Sequence, residues 1–174
     1  MTAGAGDPHR KIGVLFVCMG NICRSPIAEG VFRSLYRARA PQLELHIDSA
    51  GTHDYHVGQP PDARAIAAAR RRGIDISRHR GRQVSRDDFA DFEYILAMDR
   101  DNLAGLRAIV PRDSHAELDL LLRYAQRQPL DEVPDPYFGG AQDFEQVLDL
   151  IERGAAGLLQ KIIERYTEAS PATR

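Results

Sequence analysis

Near the start of the chain, Ile12 to Val17 forms a nearly continuous run of apolar and β-branched residues. Such a run suits a strand covered on both faces of a parallel sheet. A short loop around Gly20-Asn21 follows, and then Ser25-Pro26 reads as a helix cap with proline at the first helical position. Ala28, Val31, Phe32, Leu35 and Tyr36 continue as an apolar helical stripe. Strand, tight loop and helix in direct succession confine the chain to folds built from β–α units. The alternation continues with Leu43 to Ser49 as strand, Asp62 to Arg72 as helix closed by Gly73, Tyr94 to Met98 as strand and Arg100 to Ile109 as helix. Leu118 to Leu122 offers a fourth strand, and Ala141 to Tyr166 carries apolar residues at helical spacing despite Gly154 and Gly157. This order predicts an α/β domain with an open parallel sheet, whose ligands sit outside the carboxyl ends of the strands.

The length of 174 residues fits one domain with one core, expected over residues 11–167. Met1 to Arg10 and residues 168–174 have little to bury and are expected to form flexible ends. A net charge of −2 argues against general affinity for nucleic-acid phosphates. No apolar run reaches the ~20 residues of a membrane span, and the first ten residues lack the apolar stretch of a signal peptide. A soluble, cytoplasmic protein without membrane partner is the expectation. The two cysteines, Cys18 and Cys23, are too few and too close to staple a secreted fold. Reactive chemistry is the better reason for them.

Cys18-Met19-Gly20-Asn21-Ile22-Cys23-Arg24-Ser25 sets a thiol, five intervening residues and an arginine between strand and helix. A loop curled at a helix N-terminus turns successive backbone N–H groups into one concavity, which suits a phosphate dianion and favours thiolate over thiol. Cys18 is therefore the candidate nucleophile, with Met19, Gly20, Asn21, Ile22, Cys23, Arg24 and Ser25 as the phosphate-binding loop. Arg24 can grip two phosphate oxygens with its planar fork, and Ser25 can donate its hydroxyl to the sulfur. The alternative is a buried strand-end cysteine and a solvated arginine, a reading that the flanking strand, Gly-Asn loop and helix start disfavour.

The stretch Val14 to Glu29, VLFVCMGNICRSPIAE, resembles the signature of the low-molecular-weight protein tyrosine phosphatases, and the similarity runs from about Lys11 to the last helix. The resemblance implies a four-stranded parallel sheet flanked by helices on both faces. It implies that Cys18 forms a phosphocysteine, that Arg24 clamps the transition state, and that Asn21, Ser25, Ser49 and His79 hold the loop in shape. Asn21 suits a left-handed backbone position. The substrate would be a phosphotyrosine-containing protein, with a tyrosine kinase as one candidate, and no cofactor is implied.

Expelling a phenolate whose conjugate acid has a pKa near 10 calls for a proton donor. Asp135, between Pro134 and Pro136, lies in a stiff loop; composition alone reads it as a turn aspartate, whereas the resemblance makes it the general acid and base. Tyr55 and Tyr137 are candidate cleft walls, with Met19 a further contact and ordinary packing the alternative for each tyrosine. Relatives acting on phosphoarginine carry threonine where this chain has Ile22, which favours tyrosine. Phe138 replaces the second of a regulatory tyrosine pair found in some relatives.

Cys23 could pair with Cys18 in a protective disulfide, or could be a small residue that fits the loop. The basic stretch Arg70, Arg71, Arg72, Arg78, Arg80 and Arg82 reads either as a docking site for acidic tails or as a solvated helix end, the latter preferred. His53 and His56 read as exposed loop residues, no spacing suggests a metal, and Asp99 reads as a helix cap. Three rival readings stand beside this one: an arsenate reductase, which needs further cysteines; a phosphotyrosine-binding module without turnover; and a redox-sensing thiol protein. Oligomeric state is not legible.

Overall fold

The computed structural model describes residues 11–169. The elements are β1 (Ile12–Cys18), α1 (Arg24–Arg39), β2 (Leu45–Gly51), α2 (Ala63–Arg71), α3 (Asp88–Asp91), β3 (Tyr94–Ala97), α4 (Arg100–Ile109), β4 (Glu117–Leu120), a 3₁₀ turn (Leu121–Tyr124) and α5 (Ala141–Ala169). The expectations for residues 1–10 and 170–174 fall outside the described residues.

The four strands form one parallel sheet in the order β2-β1-β3-β4. In register, Cys18 lies beside Gly51 of β2, and Val17 beside Ala97 of β3. From β1 the chain first moves to one side, to β2, and then returns to the other, to β3. The crevice at the carboxyl end of β1 is thus the point where strand order reverses, and the loop after β1 opens there.

Alternation along β1 divides the core. Val14, Phe16 and Cys18 join Ile27, Val31 and Phe32 of α1 and Phe144, Leu148 and Ile151 of α5 on one face. Leu15 and Val17 join Phe89, Leu103 and Leu106 on the other. Helices on both faces leave β1 fully covered, which is why its sequence is apolar throughout rather than alternating. Burying each such Val, Leu, Ile or Phe contributes about 1.5–3 kcal/mol.

Asp62 caps α2, its side chain accepting from the Arg64 amide, and Gly73 at φ +76° follows the helix where a left-handed residue is needed. On α5, Gly157 faces the 3₁₀ turn so closely that a Cβ there would lie 1.9 Å from the Tyr124 carbonyl oxygen. That close approach explains a glycine that helix propensity alone disfavours. No helix among the described residues is long and apolar enough to cross a membrane.

Candidate active site

Cys18 ends β1 with only 3% of its surface exposed, at the floor of a cleft of about 250 Å³. Helix α1 begins at Arg24, one residue before the expected cap, and Ser25 makes no capping bond. Its hydroxyl is engaged elsewhere: it stands 3.0 Å from Cys18 Sγ and accepts from Asn21 Nδ2 at 2.8 Å. The Ser25 Oγ also lies 3.3 Å from the Ala50 carbonyl, so its one proton is shared between that carbonyl and the cysteine sulfur as acceptors. The Asn21 amide also points at that sulfur, 3.3 Å away.

Asn21 has φ +57°, the left-handed conformation anticipated for it. This turns the loop so that, among the described residues, the amides of Met19, Gly20, Ile22 and Cys23 donate to no protein group. The first amides of α1 lack intrahelical partners by construction. Unpaired amides at a helix N-terminus suit an anion, and these make such a cradle beside Cys18.

A buried network holds the cradle. Asn21 Oδ1 accepts from the Arg82 amide at 3.0 Å and lies 3.0 Å from His79 Nε2, so that ring nitrogen is the protonated one. Asn21 Nδ2 donates to Ser49 Oγ at 3.0 Å, and the Ser49 hydroxyl donates to Glu29 Oε1 at 3.0 Å. The four loop-supporting residues named from the sequence thus meet, and Glu29 joins them. Burial, aided by Arg80 and Arg82, holds the His79 imidazole below its ordinary pKa against the pull of Asn21 and Asp48. Burial also raises Glu29, reinforced by Asp48 and opposed by Arg33 and Ser49.

Arg24 is 2% exposed. Its Nη1 donates to Asp99 Oδ2 at 2.6 Å and to the Val133 carbonyl at 3.0 Å, while Nη2 lies 3.6 Å from Asp135 Oδ2. Burial works against the guanidinium charge, but Cys18, Asp99 and Asp135 outweigh it and hold the pKa above its ordinary value. Asp99 does cap α4, in a reciprocal box with Asn102. Its second task, orienting Arg24, was not read from the sequence. The available signal was its position: an aspartate leaving β3 at the carboxyl edge of the sheet, one strand away from the Cys18 loop.

Asp135 faces the cleft from the loop before α5, with Met19, Tyr55, His56, Tyr137 and Phe138 around the mouth. Tyr55 and Tyr137 are exposed, as cleft walls must be, and Phe138 is 97% exposed. His53 is exposed and stacks on Tyr55, whereas His56, expected in an exposed loop, lines the cleft beside Gly20. Cys18 and Cys23 are free thiols lining the same cleft. Burial, reinforced by the nearby carboxylates of Asp62 and Asp135, pushes the Cys23 thiol up to about 12. A larger hollow of about 540 Å³ beside the amino ends of β3 and β4 contains neither cysteine.

Half of the basic stretch is tied into ion pairs. Arg71 and Arg72 reach Glu145, Arg72 also meets Asp149 and Glu152, and Arg82 bridges Asp48 and Asp88. These join α2 to α5 and brace the segment that carries His79. Among the described residues no cluster of three His, Cys, Asp or Glu side chains could hold a metal.

The family model for low molecular weight phosphotyrosine protein phosphatase matches residues 13–168. The low molecular weight protein-tyrosine-phosphatase YfkJ of Bacillus subtilis is 42% identical over 87% of this chain and 96% of its own. The low molecular weight phosphotyrosine protein phosphatase of Gallus gallus is 43% identical over 85% of this chain and 94% of its own. The crystal structure of a protein tyrosine phosphatase from Entamoeba histolytica superposes with a TM-score of 0.84 at 36% identity, covering 89% of this chain and 99% of that one. A parallel sheet with its cysteine loop at the strand-order reversal, and likeness along nearly the whole described chain, lead to one statement: the chain belongs to the low molecular weight phosphotyrosine protein phosphatase family.

Proposed function

We propose that the protein hydrolyses phosphotyrosine in protein substrates, with Cys18 as nucleophile, Arg24 as phosphate clamp and Asp135 as general acid and base. The sulfur of Cys18 attacks phosphorus, the bond from phosphorus to the tyrosine oxygen breaks, and Asp135 gives that oxygen its proton. Water then attacks the phosphocysteine while Asp135 takes a proton from it; the P–S bond breaks and inorganic phosphate leaves. The free loop amides and Arg24 stabilise the equatorial oxygens in both steps. The Ser25 hydroxyl, 3.0 Å from the sulfur, is placed to donate to the thiolate and so to steady it as nucleophile and as leaving group.

One observation carries the reading: a buried cysteine, unpaired loop amides, a buried arginine and an aspartate converge on a single cleft. The depth of Cys18 below exposed Tyr55 and Tyr137 favours the long, flat phosphotyrosine over phosphoserine. A phosphorylated tyrosine kinase fits as one such substrate. The need to keep Cys18 reduced favours the cytoplasm. On oxidation of Cys18 to a sulfenic acid by peroxide, attack by the Cys23 sulfur would form a disulfide and release water. Their shared cleft supports that pairing.

The test is phosphate release by the reduced protein from phosphotyrosine, phosphoserine and phosphoarginine peptides, with Cys18→Ser and Asp135→Asn in parallel. Tyrosine-selective release, abolished by the first substitution and slowed by the second, is expected. Tight phosphotyrosine binding with no turnover by the wild type would overturn catalysis in favour of a recognition module.

A further inference from the structure

The general acid stands in an irregular segment, residues 131–140, so its aim depends on groups supplied from elsewhere. The incoming end is well held. Arg100, at the start of α4, pairs with Asp131 and Glu132, the Val133 amide donates to the Met98 carbonyl, and Arg24 grips the Val133 carbonyl. Past Asp135, among the described residues, the hydrogen bonds that residues 136–139 receive from outside the segment come from Arg64 alone.

Arg64 lies in the first turn of α2 and does not line the cleft. Its Nη2 donates to the Tyr137 carbonyl at 2.8 Å and its Nη1 to the Gly139 carbonyl at 3.0 Å. The fork is fixed at its other edge by Asp62, with Nε to Oδ1 at 3.0 Å and Nη2 to Oδ2 at 2.9 Å. The guanidinium carbon sits 4.8 Å from the Phe144 ring centroid and 5.7 Å from that of Tyr137. Asp62 in turn donates its own amide to the Ile22 carbonyl of the phosphate loop at 2.8 Å. Asp62 and Arg64 together therefore bridge the nucleophile's loop and the acid's loop. The link to the acid is direct, because Asp135 Oδ1 accepts from the Tyr137 amide at 3.1 Å and Arg64 holds the carbonyl of that same residue.

We infer that Arg64 is a positioning residue for proton transfer: it fixes Tyr137, and through the Tyr137 amide it aims the Asp135 carboxyl at the leaving oxygen. This rests on the reading of Asp135 as general acid. Lysine cannot replace it, because a point charge on a flexible stem cannot meet Asp62 and two carbonyl groups at once. A displacement of about 1 Å at a reacting group can cost on the order of 100-fold in rate.

The experiment compares kcat/KM, which reports the step that expels the phenol, for phenyl phosphate and for dinitrophenyl phosphate. The second leaving group departs without a proton. Wild type, Arg64→Ala, Arg64→Lys, Asp135→Asn and the double variant Arg64→Ala/Asp135→Asn are measured, together with inhibition by inorganic phosphate. Arg64→Ala is expected to lose on the order of 10- to 100-fold on phenyl phosphate and less than about threefold on the activated ester, with phosphate inhibition unchanged. In the Asp135→Asn background it should cost nothing further on phenyl phosphate. Should Arg64→Ala fail to fold, Arg64→Lys, which keeps the charge and loses the fork, carries the same expectation. Equal loss on both esters, or loss that adds to that of Asp135→Asn, would reduce Arg64 to a structural prop and overturn the inference. If Asp135→Asn is itself indifferent to the leaving group, the acid assignment fails and the inference with it; if Asp135→Asn discriminates and the Arg64 variants do not, only the inference falls.

Discussion

Arg24 Nη1 and Asp99 Oδ2 stand 2.6 Å apart, so the buried guanidinium already has one terminal nitrogen engaged with the protein. Since that nitrogen also meets the Val133 carbonyl, the other edge of the fork is the one turned toward the cleft. Asp99→Ala removes both this partner and the cap of α4. It is expected to cost about 1–3 kcal/mol in urea unfolding. It should also lower kcat/KM for phosphotyrosine at least about tenfold through a misaligned clamp. Wild-type kcat/KM in Asp99→Ala would show that Arg24 is aligned without it.

Asn21 has two separable duties, a left-handed backbone and a side chain joined to Ser25, Ser49, His79 and the Arg82 amide. Asn21→Gly keeps the first and loses the second, whereas Asn21→Ala loses both. Denaturant unfolding should rank wild type above Gly and Gly above Ala, the last two differing by about 1–2 kcal/mol, the cost of a left-handed β-carbon. Both variants should be poor phosphatases. Equal stability of the two would mean that backbone strain is not stored at this residue.

Cys23, pushed up to about 12 by burial and by its acidic neighbours, makes stability depend on alkaline pH. Below the unfolded thiol's pKa of about 8.5 the proton is bound in both states and the contribution is complete. Above it the unfolded chain releases a proton that the folded chain keeps, so stability falls with rising pH until the folded value is reached. The slope from this one group approaches about 1.4 kcal/mol per pH unit. Urea unfolding from pH 8 to about pH 10.5 should show Cys23→Ala declining less steeply than wild type, and parallel declines would contradict the shift.

Gly157→Ala tests packing far from the cleft. A methyl group there meets the Tyr124 carbonyl oxygen at 1.9 Å, so α5 and the 3₁₀ turn must part. A loss of about 1–3 kcal/mol in unfolding free energy is expected despite alanine's better helix propensity. Phosphatase kcat/KM at low temperature should be unchanged. A more stable variant would place the turn farther from the helix.

Much of this architecture is legible in the residue order because pattern and burial agree. The apolar run of β1 is covered on both faces, and the helix from Arg100 to Ile109 begins and ends where its spacing predicts. Some boundaries shifted: Ser25 stands beside the sulfur and caps nothing, and β2 runs Leu45–Gly51 in place of the expected Leu43 to Ser49, its last residue in register with Cys18. Helix α3, four residues from Asp88 to Asp91, is too short to show a period. At the site, Cys18, Arg24 and Asp135 stand in recognisable local patterns. The hold of Asp99 on Arg24, of Glu29 on Ser49 and of Arg64 on Tyr137 has no local pattern, because each joins residues distant in sequence; the Arg24–Asp99 pair spans 75 positions.

The bond from Arg24 Nη1 to the Val133 carbonyl joins residues 109 positions apart. A ribosome that has released the chain only as far as β3 has already made the cysteine, its cradle and the arginine, but not the carbonyl that steadies the arginine, the aspartate, or α5. Phe144, Leu148 and Ile151 of α5 also complete the core face on which Cys18 sits. The first strand's cysteine is thus set in its final surroundings only once the last helix has been made.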